Sequence, residues 1–495
     1  MIEFELKLEI PPARLPAVLA AMRDGKARLK HLQARYFDTE DDALANAGIV
    51  LRLRKEGRAW VQTAKCAGSG PLERLEHNVL LAPLPRAAAP DVLPARHADT
   101  PVGQKIKRAL QLDSLDQTPL LLPRFETDVQ RQTRRMEEEG SVVEIALDRG
   151  KARAGTAQVA LCELEFELLE GEPVAAVRVA RRWLATCGLW LSTTSKSAKG
   201  RRLAAGEQSS PPVGAAAANL RRSDSGLEIA MAVIRACLDQ VLGNASEVGA
   251  GSADAQHIHQ LRVGIRRMRT ALRELRELLP QTDPAWESAL IDAFRALGRD
   301  RDRHYIESSA QPKLAAEGGP PVNAGPPEDL IDPVATVRSP AFQDALLGLL
   351  EITYSSTTQA RGEIDGRKAL KMLSARLTKL HQQVARDGRR FQKLETAQQH
   401  RVRKRLKCLR YLAEFVMPFY PARKGRHWIA ALKPVQDALG DYNDELIALD
   451  VYRELARHDP AAWFGVGWFT ARHAANAAQC QRELEKMIDL KRFWD

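Results

Sequence analysis

Over roughly the first two hundred residues, polar and apolar positions alternate. Residues 1–10, MIEFELKLEI, place Glu3, Glu5 and Lys7 in one phase and Phe4, Leu6 and Leu8 in the other. Successive side chains of a β-strand point to opposite faces, so one face is charged and the other apolar. The stretches from Ile49 to Arg54 and from Val142 to Asp148 alternate likewise, as does CELEFEL from Cys162 to Leu168. The stretch from Val174 to Cys187 instead spaces Val177, Ala180, Trp183 and Leu184 as a helix does. GSGP at 68–71 and DRG at 148–150 read as turns. The pattern predicts a mainly antiparallel sheet with a few helices over 1–205.

From about Gly226 the period changes to that of amphipathic helices, over 227–242, 257–279 and 286–297. Between the two regimes, 206–222 carries SSPP and an alanine run and reads as a linker. A Pro/Gly-rich insertion at 309–335 divides the helical region 223–495. Helices resume near 338 and continue to about 490, broken by Pro418, Pro421 and Pro434. The two helical halves look duplicated. His259 is followed by Arg262, Arg266 and Arg269 at offsets 3, 7 and 10, and His400 by Arg403, Lys407 and Arg410 at the same offsets. LGRDRD begins 38 residues after His259 and LGDYND 39 residues after His400. The expected class is α+β multidomain: an antiparallel β-domain, then an all-α bundle of two repeated halves.

A chain of 495 residues fits two or three domains. Lys and Arg total 74 against 63 Asp and Glu, a formal +11 that favours an anionic partner. The six cysteines, Cys66, Cys162, Cys187, Cys237, Cys408 and Cys480, lie far apart, which excludes a close-spaced metal-binding pair and fits a reducing compartment. The chain starts directly in a strand pattern, with no leader-like segment, and no run reaches 18 apolar residues. These features predict a cytoplasmic protein with no membrane partner.

Alternating charge on one strand is ordinarily a solvated face. Here it recurs: Arg52 and Arg54, then Lys65, Arg74 with Glu76, Arg131, Glu144 with Asp148, Glu163 with Glu165 and Glu167, and finally Lys196, Lys199 and Arg201. Residues i and i+2 of a strand lie about 6.6 Å apart. Carboxylates at that spacing in an enclosed space need compensation, because an unpaired buried ion costs several kcal/mol. Arg and Lys supply it, and so would a divalent cation, for which glutamate oxygens are hard donors suited to Mg²⁺ or Mn²⁺. Arg and Lys also suit phosphoryl oxygens. A closed antiparallel barrel with a charged interior would hold a cation–polyphosphate complex.

EFELK resembles the ExExK signature of the CYTH, or triphosphate tunnel metalloenzyme, family. The resemblance continues through YFDT with Tyr36, Asp38 and Thr39, LRLR at 51–54, Lys65, Arg74 and Glu76, FETDVQR at 125–131, Glu144, Asp148, CELEFEL and SKSAKGRRL, and covers about 1–203. It implies an eight-stranded antiparallel tunnel with flanking helices that handles triphosphates with Mg²⁺ or Mn²⁺. Carried over by position, Lys7, Arg52, Arg54, Lys65, Arg74, Arg131 and Lys196 would bind triphosphate. Glu3, Glu5, Glu144, Glu163 and Glu165 would hold metal. Glu76 and Asp148 would assist the metal or orient water and the basic groups; with Lys7 and Glu163 they form the expected catalytic set. Asn78 departs from the family, where many members carry a further acid.

In the helical region, offsets 0, 3, 7, 10 and 14 follow one helix face, occupied by His259, Arg262, Arg266, Arg269 and Arg273. The second copy supplies His400, Arg403, Lys404, Lys407 and Arg410, with Tyr411 assigned to the core. Leu261, Ile265, Met268 and Leu272 form the packing face. The bland alternative is a solvated face relieved by Asp302, Asp437 or Asp444. HQLRVGIRRMR, HRVRKRLKCLRY and the two LG…D elements resemble the CHAD domain over roughly 223–490, which implies a basic groove for inorganic polyphosphate. Zinc-finger spacing and an RNA-binding aromatic signature are both missing, and aromatics make up 5% of residues, which argues against nucleic acid.

The expected function is metal-dependent hydrolysis of inorganic triphosphate to pyrophosphate and phosphate, coupled to polyphosphate binding and compatible with polyphosphate granules. The alternatives are an ATP-cyclising, thiamine triphosphate- or nucleoside triphosphate-cleaving tunnel, and a non-catalytic polyphosphate scaffold.

Overall fold

The computed structural model describes residues 2–23, 27–68, 70, 72–82, 89–117, 119–280, 282–322, 332–355 and 364–495. Nine strands are described: β1 Ile2–Glu9, β2 Arg28–Asp38, β3 Ile49–Glu56, β4 Ala59–Ala67, β5 Glu73–Leu81, β6 Leu122–Glu138, β7 Ser141–Ala154, β8 Ala157–Glu170 and β9 Trp190–Leu191. They run β5-β4-β3-β2-β6-β7-β8-β1, and β1 also pairs with β5, so eight antiparallel strands close on themselves. β1 makes the closure by splitting its length, with Ile2–Phe4 against β5 and Glu5–Glu9 against β8. β9 adds to the end of β1. The expected antiparallel tunnel is therefore present.

The alternation of β1 sets the layering. Phe4, Leu6 and Leu8 are buried on the outer face, beneath a helical coat, while Glu3, Glu5 and Lys7 point inward. The first compact unit contains α1 Leu15–Arg23, α2 Ala43–Asn46, α3 Pro101–Ala109, α4 Pro173–Cys187 and α5 Lys196–Ala205. Pro173 opens α4 and Gly188, at φ +64°, stops it. Its apolar face buries Val177, Ala180, Trp183 and Leu184, and Trp183 meets Phe166 edge-on at 6.2 Å. Each such fully buried large side chain contributes roughly 1.5–3 kcal/mol, so the apolar core lies outside the barrel wall and the polar interior is left for a site.

The remaining helices are α6 Gly226–Gly249, α7 Ala255–Glu274, α8 Pro284–Tyr305, α9 Gln311–Ala316, α10 Pro333–Val337, α11 Pro340–Tyr354, α12 Gly366–Gly388, α13 Thr396–Val416, α14 Ala422–Ala431, α15 Lys433–Leu455 and α16 Trp463–Ile488. The largely α-helical C-terminal region is also as expected. Helix α7 ends at Glu274, short of the expected 279, and Pro418, Pro421 and Pro434 lie at the starts of short or long helices. Of the insertion at 309–335, residues 323–331 lie outside the described residues.

The compact units cut across the linear order. The first comprises Met1–Gly214, Leu238–Leu261 and Val337–Ser356; the second comprises Ala215–Cys237, Arg262–Thr336 and Thr357–Asp495. Segments from the helical half of the sequence thus belong with the barrel. Arg181 of α4 pairs with Asp344 of α11 at 2.6 Å, and Phe4 meets Tyr354 edge-on at 4.8 Å. In the second unit, Tyr452 and Phe469 lie in one apolar cluster, and Trp428 packs against Phe493 and Trp494.

Candidate active site

The inward phases of the eight strands enclose a cavity of about 250 Å³. Its wall carries Glu3, Glu5 and Lys7 from β1, Arg52 and Arg54 from β3, Lys65 from β4, Arg74 and Glu76 from β5, Arg131 from β6, Asp148 from β7, Glu165 and Glu167 from β8, and Lys196 at the start of α5. These residues come from distant positions in sequence because the antiparallel register keeps one phase on one face all round the barrel. Lys7 stands opposite Glu165, Arg131 opposite Asp148, and Lys65 opposite Glu76.

The charges form three groups. Lys65 bridges Glu3, Glu5 at 2.9 Å and Glu76 at 3.2 Å. Arg131 makes a two-pronged contact with Asp148, at 2.8 and 2.6 Å, and also reaches Glu165. Lys196 contacts Asp148 and Glu163, both at 2.7 Å, together with Glu165. Deeper in the wall, Glu163 is fully buried, 3.8 Å from Lys7 and 2.8 Å from Lys199, which also holds Glu9 at 2.6 Å. The Lys7 amine donates to the Thr194 carbonyl. Arg54 pairs with Glu56 at 2.5 Å, and the Arg74 side chain donates to the Glu73 carbonyl at 2.8 Å.

Burial pushes the Glu3 carboxyl up to about 8, although Lys65 pulls it down. Burial, with Glu5 nearby, raises Glu167 to about 7. Against the same desolvation, Lys65 and Arg52 bring Glu76 to about 2, and Lys196, Lys7 and Lys199 bring Glu163 to about 2. Burial lowers the Lys7 amine, with Glu163 opposing. Desolvation opposes charge on Lys65, Lys196 and Arg131 too, yet their carboxylate partners raise all three. The wall therefore holds two carboxylates, Glu3 and Glu167, for which local cations do not make up the cost of ionisation.

The register sharpens that imbalance. Glu5 stands directly opposite Glu167, and Glu167 directly opposite Glu144. Like charges directly opposite one another on adjacent strands are destabilising. A row of hard oxygen donors with incomplete local compensation fits a divalent cation of the Mg²⁺ or Mn²⁺ type. Among the described residues, no three acidic, histidine or cysteine side chains form a ready-made metal-binding group, and Lys65, Arg131 and Lys196 bridge the wall carboxylates instead.

The structure brings most of the predicted tunnel residues to one cavity, with two differences of depth. Glu163 lies behind the wall among lysines, and Glu144 shares the inward phase but sits off the cavity lining, 3.9 Å from the exposed Arg135. Sequence reasoning missed Glu167 and Lys199, and Ser192, Thr193, Ser195 and Ser197 around the predicted Lys196, as site components. Glu167 was visible as the third member of the CELEFEL phase, and Lys199 as one helical turn beyond Lys196.

In the second unit, α7 and α13 pack together. Arg267 pairs with Glu414, and Arg273 donates to Cys408 Sγ at 2.8 Å. Leu261, Ile265, Met268, Leu272 and Tyr411 are buried, as the amphipathic pattern requires. The duplicated offsets have a structural counterpart: Arg262 donates to the Phe294 carbonyl at 2.8 Å, and Arg403 to the Leu439 carbonyl at 3.1 Å. Arg262 also lies 4.3 Å from the Phe294 ring centroid, and a Cβ at Gly298 would stand 2.4 Å from its Nη1, so a side chain there would push the guanidinium aside. Arg266 and Arg269 are partly buried, Arg273, Lys404 and His400 exposed, and Lys407 partly buried. Arg410 pairs with Glu414 at 2.7 Å. Partial desolvation of the ring, with Lys404 and Arg403 beside it, lowers the His400 pKa. His259 is exposed on the first turns of α7, in the part that belongs to the barrel's unit. The Asp302 side chain lies outside the described residues.

Among the described residues, no helix is long and apolar enough to cross a membrane. Residues 1–200 match the CYTH domain model and residues 232–453 the CHAD domain model. The chain is 31% identical over 175 residues to the inorganic triphosphatase of Haemophilus influenzae, covering 34% of this chain and 46% of that protein. The chain thus spans about half the length of this curated relative. Among solved structures, it is similar to the CHAD domain from the plant Ricinus communis at 24% identity and a TM-score of 0.45, over 57% of this chain and 98% of that one. It is also similar to a putative adenylyl cyclase from Hippeastrum, described as having a dominant triphosphatase activity, at 18% identity and a TM-score of 0.30, over 41% of this chain and 96% of that one.

Proposed function

From a chain built of an N-terminal CYTH domain and a C-terminal CHAD domain, we propose metal-dependent hydrolysis of inorganic triphosphate to pyrophosphate and phosphate, coupled to retention of inorganic polyphosphate by the helical region. The observation that carries the first part is the single cavity whose wall alternates Arg and Lys with carboxylates. Glu5 and Glu167, opposed across β1 and β8 on that wall, add hard oxygen donors beside the basic groups, which supports a bound cation as well as an anion. The similarity to an inorganic triphosphatase supports the choice of substrate.

In this reading, Arg52, Arg54, Arg74, Arg131, Lys65 and Lys196 bind the phosphate chain and neutralise the charge that develops on the transferred phosphoryl group. Glu3, Glu5 and Glu165, with Glu167, hold the cation; Glu144 and Glu163 contribute from beside and from behind the wall. When bound, a divalent cation polarises phosphoryl oxygens and lowers the pKa of a bound water. Asp148 and Glu163 orient Arg131, Lys196 and Lys7. Glu76, held ionised by Lys65 and Arg52, accepts a hydrogen bond rather than storing a proton. Lys7, fixed between Thr194 and Glu163, is placed to donate to a phosphoryl oxygen. No covalent nucleophile is required.

In the helical region, the paired Arg262 and Arg403, with their neighbours at offsets 7 and 10, hold long polyphosphate by charge alone. A phosphate-release panel tests the proposal, using tripolyphosphate, ATP, thiamine triphosphate and long chains with Mg²⁺, Mn²⁺ or EDTA. Fastest release from tripolyphosphate, lost with EDTA, is expected. Cyclic product from ATP would reassign the tunnel, and tight binding without any release would make the chain a polyphosphate scaffold.

A further inference from the structure

Ser192, Thr193, Ser195 and Lys196 line the barrel cavity, and Thr194 provides the carbonyl that receives the Lys7 amine. This stretch has little regular structure of its own between β9 and α5. It is held from outside the barrel, by two consecutive residues of α6. The Thr193 backbone N–H donates to Ser246 Oγ at 2.9 Å, and the two hydroxyl oxygens lie 3.1 Å apart. The next residue, Glu247, accepts Arg202 of α5 at 2.9 and 2.7 Å on its two carboxylate oxygens, and the Thr194 hydroxyl at 3.4 Å. Ser246 is 1% exposed and Glu247 4%. The Ser246 hydroxyl spends its own proton on the Leu242 carbonyl at 2.7 Å, which leaves its oxygen as an acceptor for Thr193. From Leu238 onward α6 belongs to the barrel's compact unit, although these residues fall within the stretch that matches the CHAD model.

We propose that Ser246 and Glu247 are positioning residues for the tunnel reaction. They fix the Thr193–Thr194 backbone and the helix that begins at Lys196, and so set where the Lys196 amine and the Lys7 tether stand. The inference rests on the hydrolase reading above. A lysine side chain has many rotamers, so its use in the cavity depends on a backbone that does not drift, and a displacement near 1 Å can lower a rate about 100-fold. The proposed active site is therefore incomplete within the first 205 residues: two groups that aim it come from α6.

Asn244 provides a matched control on the same helix. It is fully buried and bonded to the Val213 amide and carbonyl at 3.1 and 2.8 Å, away from the 192–202 segment. In the full-length chain, tripolyphosphate turnover and amide hydrogen exchange are measured for the wild type, Ser246→Ala, Glu247→Gln and Asn244→Ala. The proposal expects kcat to fall roughly 10-fold or more in Ser246→Ala and Glu247→Gln with KM changed less than about twofold, together with faster exchange confined to 192–203. Asn244→Ala is expected to lose thermal stability but keep its kcat. Equal loss of kcat in Ser246→Ala and Asn244→Ala would reduce both to general destabilisation and overturn the proposal, as would faster exchange at 192–203 with an unchanged kcat. A wild-type chain that releases no phosphate from tripolyphosphate would refute the hydrolase reading itself, and the inference with it.

Discussion

Lys65 in the barrel touches three carboxylates, whereas Arg262 on α7 donates to a backbone carbonyl and lies over the Phe294 ring. Both are cations on walls that the sequence marks as basic, but their partners differ. In the barrel, positive charge is stored against negative charge inside a closed cavity, so the site is close to balanced before any ligand enters. A phosphate chain and a divalent cation together can take over those contacts, each replacing the partner of opposite sign. On the helices, Arg262 and Arg403 each donate to a backbone carbonyl, and a carbonyl or an aromatic ring orients a guanidinium without neutralising it. In the proposed function, such a surface attracts a long polyanion through its guanidinium groups. On the proposed function, the barrel is the place of reaction and the helices the place of retention.

Substitutions inside the barrel should break the comparison most strongly. Lys196→Ala removes the cation that joins Asp148, Glu163 and Glu165. Steady-state phosphate release from tripolyphosphate is expected to fall about 100-fold or more, with polyphosphate retention on a filter unchanged. A smaller effect of opposite selectivity is expected from the double substitution Arg262→Ala and Arg403→Ala: polyphosphate affinity measured by calorimetry drops roughly 10-fold, most clearly at low salt, while tripolyphosphate turnover stays at the wild-type level. Equal loss of both properties in either variant would mean that the two regions share one site.

The smallest effect is one of pH. Glu3 and Glu167 have folded-state pKa values raised to about 8 and about 7. For an acid with a raised folded pKa, the stabilising neutral form is fully present below the unfolded value and is lost as pH rises through the folded one. The metal-free chain should therefore lose some thermal stability as pH rises from about 4.5 to about 8, as read by calorimetry. Over the same range, the concentration of Mg²⁺ needed for half-maximal turnover should fall, because ionised carboxylates bind the cation. Polyphosphate binding by the arginines should stay flat, since guanidinium groups do not titrate there.

The barrel was legible because its interior is polar. In a barrel packed with apolar side chains, β1 would not have shown Glu3, Glu5 and Lys7 in one phase, and the charged phases of β7 and β8 would have been equally mute. Alternation fixes the face of a residue but not its height along the tunnel, which depends on register and stagger between strands. That is why Glu163 and Glu144, chosen correctly for face, stand behind and beside the cavity, and why Glu167 takes a place on its wall. The helical offsets located Arg262 and Arg403 for the same kind of reason: they mark one stripe of a helix. An amphipathic stripe shows that a face is covered without showing what covers it. The attachment of 238–261 and 337–356 to the barrel's unit, and with it the grip of Ser246 and Glu247 on the 192–202 segment, was therefore out of reach of the sequence pattern.

The most direct measurement titrates EDTA into one preparation of the full chain while following two signals, phosphate release from tripolyphosphate in Mg²⁺ and retention of long polyphosphate. Release should fall to background as the free cation is removed, with retention unchanged. Release that persists in excess EDTA, or that never occurs with any divalent cation, would contradict the assignment of the barrel as a metal-dependent triphosphate hydrolase.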